Sequence, residues 1–154
     1  MLRGYYGCVS NHIYKSHNKN LLLYHLVCPV KCRKKVLNEE VEYSLKKTCE
    51  EIAERYEIQF VEIGADEDHV HFLLQTVPAT KLSEMIKKIK SITGRELFRL
   101  HPWVRNTLWG GQFWTSGYYV NTVGQYANEK VIQQYVKSQG KEYKQIHREQ
   151  LKLL

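Results

Sequence analysis

Two alternating apolar stretches, residues 58–63 and 67–75, stand on either side of a turn-forming run that holds Gly64, Asp66 and Asp68. Period-two alternation flanked by glycine and aspartate is the signature of an antiparallel hairpin. A hairpin fixes one strand pair, and the remaining chain must extend that pair into a sheet and cover at least one of its faces. Along the second strand, successive side chains point to opposite faces. Val70, Phe72 and Leu74 therefore share an apolar face, and His69 and His71 look the other way. Two imidazoles offered from one rigid strand can hold a divalent cation. They can equally be half-buried sheet residues satisfied by hydrogen bonds, and the pair alone does not decide between the two.

The rest of the chain supplies the missing elements in a definite order. Residues 1–19 are polar and irregular. Residues 21–28 form the first strand candidate, ended by Pro29, which lacks a ladder donor. A basic loop with Lys31, Arg33, Lys34 and Lys35 follows. Asn38 is placed to cap a helix that opens on Glu39 and Glu40, and Val41, Leu45, Cys49, Ile52, Ala53 and Tyr56 recur at helical spacing. After the hairpin, Pro78 ends the strand. A second helix starts near Lys81 with the stripe Leu82, Met85, Ile86, Ile89 and Ile92. Gly94 predicts an interruption, with a short helix continuing to Pro102 and a loop over residues 103–112. Residues 113–123, aromatic and β-branched, read as a fourth strand, and Asn128 caps a last helix running to Gly140.

Strand, helix, strand, strand, helix, strand is the βαββαβ order of a ferredoxin-like α+β domain: a four-stranded antiparallel sheet with two helices on one face. That leaves His69 and His71 on the face the two helices do not cover, where the last helix is available to lie. The expected organisation is an N-terminal extension over residues 1–13, one domain over 14–140 and a charged tail over 141–154.

Charge bears on the partner. The 154 residues carry 23 Lys+Arg against 16 Asp+Glu, a formal net charge of +7, which favours an anionic partner with nucleic acid ahead of membrane. Eleven tyrosines and three tryptophans provide flat surfaces for unpaired bases. The candidates for phosphate contact are Arg33, Lys34 and Lys35 in the basic loop and Lys87, Lys88, Lys90, Arg95 and Arg99 along the second helix. A solvated helix face is the plain alternative for any one of them. No apolar run is long enough to span a bilayer and no leader pattern opens the chain, so a cytoplasmic location is expected. The cysteines show no zinc spacing and are read as reduced thiols.

On the last helix, Tyr135 and Gln139 lie one turn apart and share a face. Laid over the sheet, that helix could bring a phenol and an amide oxygen to the histidine pair. A cation held by His69, His71 and Gln139 could polarise a phosphodiester, and the tyrosine oxygen could attack it. Taken without the histidines, Tyr135 reads as a packed aromatic on an amphipathic helix.

Four ordered blocks resemble a known family. His69-Val70-His71 followed by apolar residues is similar to the histidine–hydrophobic–histidine (HUH) motif. Gly117-Tyr118-Tyr119-Val120-Asn121-Thr122-Val123-Gly124, and then the helix carrying Tyr135 and Gln139, resemble the end of the single-tyrosine transposases of the insertion sequence 200/605 family. Tyr24-His25-Leu26-Val27-Cys28-Pro29 and Arg33-Lys34-Lys35-Val36-Leu37 resemble that family's first strand and basic loop. Where the family often has an aromatic residue in that loop, this chain has Cys32.

The resemblance implies a transposase that cleaves and rejoins single-stranded DNA at the ends of a mobile element, next to hairpins, through a covalent 5′-phosphotyrosine. It implies Tyr135 as nucleophile and Mg²⁺ or Mn²⁺ held by His69, His71 and Gln139. It also implies a homodimer in which the tyrosine helix can be exchanged between subunits, with a hinge over residues 124–127. Two other readings are a non-catalytic module that stacks single-stranded nucleic acid on its sheet, and a domesticated nickase with the same chemistry.

Overall fold

The computed structural model describes residues 12–123. It opens with a small hairpin, β1 (Ile13–Lys15) and β2 (Asn18–Asn20). Then come β3 (Leu22–Pro29), a single 3-10 turn (Lys31–Arg33), α1 (Glu39–Arg55), β4 (Ile58–Ala65), β5 (His69–Thr76), α2 (Leu82–Leu100), α3 (Pro102–Thr107) and β6 (Tyr119–Thr122).

The four long-range strands form one antiparallel sheet in the order β4-β5-β3-β6. With α1 and α2, this is the ferredoxin-like α+β plan expected from the order of elements. The register aligns Leu26 with Phe72 and Cys28 with Val70, so the even-numbered residues of β3 and β5 face the helices together. Val41, Leu45, Cys49 and Ile52 of α1 and Met85, Ile86, Ile89 and Leu97 of α2 close over them into one buried core. Burial of large apolar side chains on this scale, at about 25 cal/mol per Å² of apolar surface, is the main force holding helices to sheet. Asn38 caps α1 as its sequence position predicts, its side chain accepting from the Val41 amide at 2.9 Å.

The face away from the helices is not open. Leu23, His25 and Val27 of β3 and His69, His71, Leu73 and Gln75 of β5 are all buried. Leu23, Leu73 and Val123 form a second, smaller apolar cluster there, with Leu21 and Val61 against it. On this face the aliphatic Leu23, Val27 and Leu73 stand among the polar His25, His71 and Gln75, with Tyr119 and Asn121 of β6 beside them in register.

Four expectations change. Residues 13–20 are a hairpin rather than irregular chain. Its strands are three residues each, too short to show alternation, so only the two-residue turn at Ser16 and His17 betrays it. Gly94 does not interrupt α2, which runs unbroken through it. A Cβ at Gly94 would lie 3.3 Å from the Phe113 Cβ, so the glycine serves a close approach of the Phe113 and Trp114 side chains. Residues 102–107 are helical, started by Pro102 at a first-turn position where its fixed φ is favourable.

The fourth strand is regular only over Tyr119–Thr122. Upstream, Trp114 makes an isolated bridge to Val30, and residues 115–117 turn their carbonyls away from the sheet. The expected helix over 128–139, the hinge over 124–127 and the tail after Gly140 lie outside the described residues.

Candidate active site

The site is built on β5, an inner strand of the sheet. His69 and His71 lie two residues apart on one face, with ring centroids 4.9 Å apart and planes at 71°. His71 is 1% exposed and His69 sits at its edge at 9%. Gly64 is the β4 neighbour of His71 in register and brings no side chain to crowd the ring.

Each imidazole is held at Nδ1. His69 Nδ1 lies 2.6 Å from the Asp68 carboxylate, and the second Asp68 oxygen takes the Arg33 Nε at 3.2 Å. Arg33 reaches it because the turn after β3 is folded into left-handed geometry, with φ of 55° at Cys32 and 53° at Arg33. Non-glycine residues reach that region only under constraint. The constraint here is a set of backbone bonds, Val30 to Asp68 at 2.8 Å and Leu37 to Glu67 at 3.1 Å, that stitch the basic loop to the start of β5. Asp68 therefore does more than shape a turn, while Asp66 caps the Glu67 amide at 2.8 Å as a turn residue does.

His71 Nδ1 lies 3.0 Å from His25 Nε2 on β3, the ring centroids 5.2 Å apart and the ring planes within 14° of parallel. His25 does not stand out in the sequence. Its parity puts it on the histidine face, but only the β3–β5 register brings it beside His71.

With both Nδ1 atoms committed inside the protein, Nε2 of each ring is the nitrogen suited to a cation. Neutral imidazoles oriented by a partner at the other nitrogen are good donors for divalent first-row metals. His69 and His71 thus fit as two members of a larger ligand set. Among the described residues no group of three or more His, Cys, Asp or Glu side chains forms a complete metal site. Gln139 and the nucleophile candidate Tyr135 lie outside the described residues.

The basic residues divide into separate groups. Lys87, Lys90, Arg95 and Arg99 line a groove between α2 and residues 111–118, joined by Arg105, which the sequence did not single out. Lys90 spends its ammonium on the carbonyls of Thr115, Ser116 and Gly117 at 2.8, 3.1 and 3.3 Å. Partial burial pulls its pKa below the ordinary lysine value. Arg99 is paired with Glu96 at 2.8 Å. Lys88 lies outside the groove, over the Tyr56 ring at 4.6 Å. In the basic loop, Lys35 pairs with Glu67 at 2.8 Å and Arg33 with Asp68, while Lys34 is exposed. Lys31 donates to the Trp109 carbonyl at 3.5 Å, and Trp109 is 83% exposed.

Fold and site together define a class: a ferredoxin-like domain with a histidine pair on an inner strand, each ring anchored from behind, and a basic groove along one helix. Residues 18–139 match the sequence profile described as "Transposase IS200 like", so the chain belongs to the IS200-like transposase family, enzymes of DNA transposition that cleave and transfer DNA strands. It is 34% identical over 118 residues to the ISDra2 transposase TnpA of Deinococcus radiodurans, covering 77% of this chain and 84% of that protein. It is 28% identical over 129 residues to the transposase for insertion sequence element IS200 of Salmonella typhimurium, covering 84% of each.

Among solved structures it resembles a Deinococcus radiodurans R1 protein assigned as a transposase, with a TM-score of 0.68 and 31% identity over 82% of this chain and 97% of that one. A REP-associated tyrosine transposase bound to a REP hairpin shares the fold, with a TM-score of 0.56 and 8% identity over 80% of this chain and 70% of that one. Among the described residues no helix is long and apolar enough to cross a membrane.

Proposed function

We propose that this transposase cleaves and rejoins single-stranded DNA at the ends of a mobile element through a covalent 5′-phosphotyrosine on Tyr135. The observation that carries the reading is the histidine pair of β5, buried in the sheet with both Nδ1 atoms already held, inside a chain that matches its family continuously from residue 18 to Gln139.

His69, His71 and Gln139 would hold the cation, Mg²⁺ or Mn²⁺. When bound, it supplies positive charge to a phosphate oxygen as negative charge develops there. The Tyr135 oxygen attacks phosphorus, a tyrosine O–P bond forms, the P–O3′ bond breaks, and the leaving 3′-oxygen takes up a proton while the phenol gives one to solvent. Rejoining runs the same exchange backwards with a different 3′-hydroxyl, so the diester energy is conserved and no nucleotide cofactor is required. Lys87, Arg95 and Arg105, which line the groove, would bind DNA backbone there, a hairpin at the element end being the substrate feature of this reading. A homodimer, with the tyrosine helix given to the partner's histidines, belongs to the same reading. So does the organisation of one domain over residues 14–140 with extensions on either side.

A module that binds nucleic acid by stacking bases on its sheet needs exposed aromatics on the face away from the helices. That face instead carries buried Leu23, His25, Val27, His71 and Leu73. The test is incubation of wild type and Tyr135→Phe with labelled single-stranded element ends and Mn²⁺, resolved on a denaturing gel. Wild type should give a protein–DNA adduct that chelator prevents. Tyr135→Phe should bind the DNA and give none, and an adduct persisting in that variant would remove Tyr135 as nucleophile.

A further inference from the structure

We propose that His25 is a positioning residue for His71, acting by fixing which nitrogen of the His71 ring carries the proton; this rests on the reading of His71 as a metal ligand. His25 pairs in register with Leu73 and Val27 with His71, so the two histidines are diagonal neighbours on one face of adjacent strands. Their nitrogens approach to 3.0 Å, and both rings are essentially out of solvent, at 2% and 1% exposure.

A hydrogen bond between two ring nitrogens needs one N–H and one lone pair, which leaves two arrangements for neutral rings. If His25 Nε2–H donates to His71 Nδ1, the proton of His71 sits on Nε2, and that nitrogen cannot take a cation. If His71 Nδ1–H donates to His25 Nε2, the lone pair of His71 is on Nε2, where a ligand needs it. Metal-binding histidines are set in this second way, by an acceptor behind the ring. His25 is that acceptor.

Comparison with the neighbouring ligand explains why a histidine does this work here. His69 is backed by the Asp68 carboxylate, which at 23% side-chain exposure keeps some solvation and shares its charge with Arg33. Position 25 is 2% exposed, and an ionised carboxylate there would be expensive to bury. A neutral imidazole provides the acceptor without a charge. Tyr119 of β6, edge-on to His25 at 6.5 Å and 77°, flanks the ring that does the accepting. The site thus has one ligand ring backed by a charge near the surface and one backed by a neutral ring inside the sheet.

The experiment uses the full chain and two readouts that do not depend on turnover. Long-range ¹⁵N–¹H spectra of the metal-free protein report the tautomer of each histidine, assigned through the variants. Mn²⁺ binding is followed by the loss of the free-ion electron paramagnetic resonance signal. His71 should be found as the Nδ1–H tautomer. His25→Leu should weaken Mn²⁺ binding by about 10–100-fold, and His25→Gln, whose amide oxygen can reach the place of the imidazole Nε2, should recover most of it. His71→Ala should abolish the high-affinity binding.

An Nε2–H tautomer at His71 overturns the proposal. So does wild-type Mn²⁺ affinity in His25→Leu when His71→Ala has lost it. Unchanged affinity in His71→Ala would instead show that the ligand reading itself is at fault, and His25 would lose its role with it. Circular dichroism melts check folding. Should His25→Leu not fold, the wild-type tautomer and the His25→Gln affinity still decide the outcome.

Discussion

The Asp68 carboxylate lies 2.6 Å from Nδ1 of His69, the residue directly after it in the chain. Neighbouring residues on a regular strand point to opposite faces, so this contact forms only because Asp68 sits just before β5 begins, where the backbone is pinned to Val30. An ionised carboxylate can only accept, which places the His69 proton on Nδ1 and the lone pair on Nε2. Asp68→Ala is expected to weaken Mn²⁺ binding by about 10–100-fold, and Asp68→Asn by less because an amide oxygen can still accept. Isothermal titration with Mn²⁺ measures both. Wild-type affinity in Asp68→Ala would show that the carboxylate does not orient a ligand.

Lysines that look alike in sequence should separate by assay. Lys87 and Arg95 line the groove, whereas Lys90 is spent on three carbonyls of the segment before β6. Each phosphate contact removed lowers the slope of log affinity against log salt by about 0.7 for single strands and 0.9 for duplex. The Lys87→Ala/Arg95→Ala double variant should therefore lose roughly 1–2 from the salt slope for hairpin DNA with little change in melting temperature. Lys90→Met should do the reverse, costing about 1 kcal/mol of stability for the bonds lost, since the partly exposed carbonyls can turn to water. Filter binding across a salt series, paired with denaturant unfolding, measures the two effects. A reduced slope at full stability in Lys90→Met would return that lysine to the DNA contacts.

Gly94 tests the packing of α2 against the chain that leads to β6. In an exposed helix interior, glycine to alanine gains about 1 kcal/mol. Here the added Cβ meets the Phe113 Cβ at 3.3 Å, and Phe113 cannot retreat easily. Its carbonyl accepts from Lys31, and the next residue, Trp114, donates from Nε1 to Thr93 at 2.9 Å. Gly94→Ala is expected to be net destabilising by about 1 kcal/mol and Gly94→Val by about 2–3 kcal/mol, since overpacking costs typically 1–3 kcal/mol. Urea unfolding midpoints give the answer, and a stabilised Gly94→Ala would mean that the 113–114 segment yields.

These residues also show what could be read in the chain beforehand. The sheet and both long helices follow from local periodicity, which is why α1 with its Asn38 cap and the β4–β5 hairpin stand where the sequence places them. Gly94 misleads because a glycine required for a tertiary approach looks the same as one that breaks a helix. The pairing of His69 with His71 was legible, since they share a strand and their common face is set by parity alone. His25 and Arg105 were not. Each reaches its place through a strand register or a groove wall assembled from distant segments. The same holds for the division among the lysines, which depends on where carbonyls and rings of other segments happen to point.

The cysteines give a prediction in pH. Cys28 lies in the core between sheet and helices, and burial pushes its thiol up to about 12, an effect the nearby Lys90 charge only partly offsets. Cys49 on α1 is raised well above its ordinary value for the same reason, while Cys32 is exposed in the left-handed turn. A raised folded pKa means that the native state keeps a proton which the unfolded chain gives up. The stabilising contribution is therefore complete below about pH 9 and declines as pH rises towards 12, by about 1.4 kcal/mol per pH unit for each such thiol. Urea midpoints should fall between pH 9 and 11, and less so in Cys28→Ala measured against its own value at pH 8. At pH 8 a thiol reagent should modify Cys32 in the native protein and reach Cys28 and Cys49 only when urea unfolds it. Peptide mapping of the labelled protein would show this, and rapid native labelling at Cys28 would contradict its place in the core.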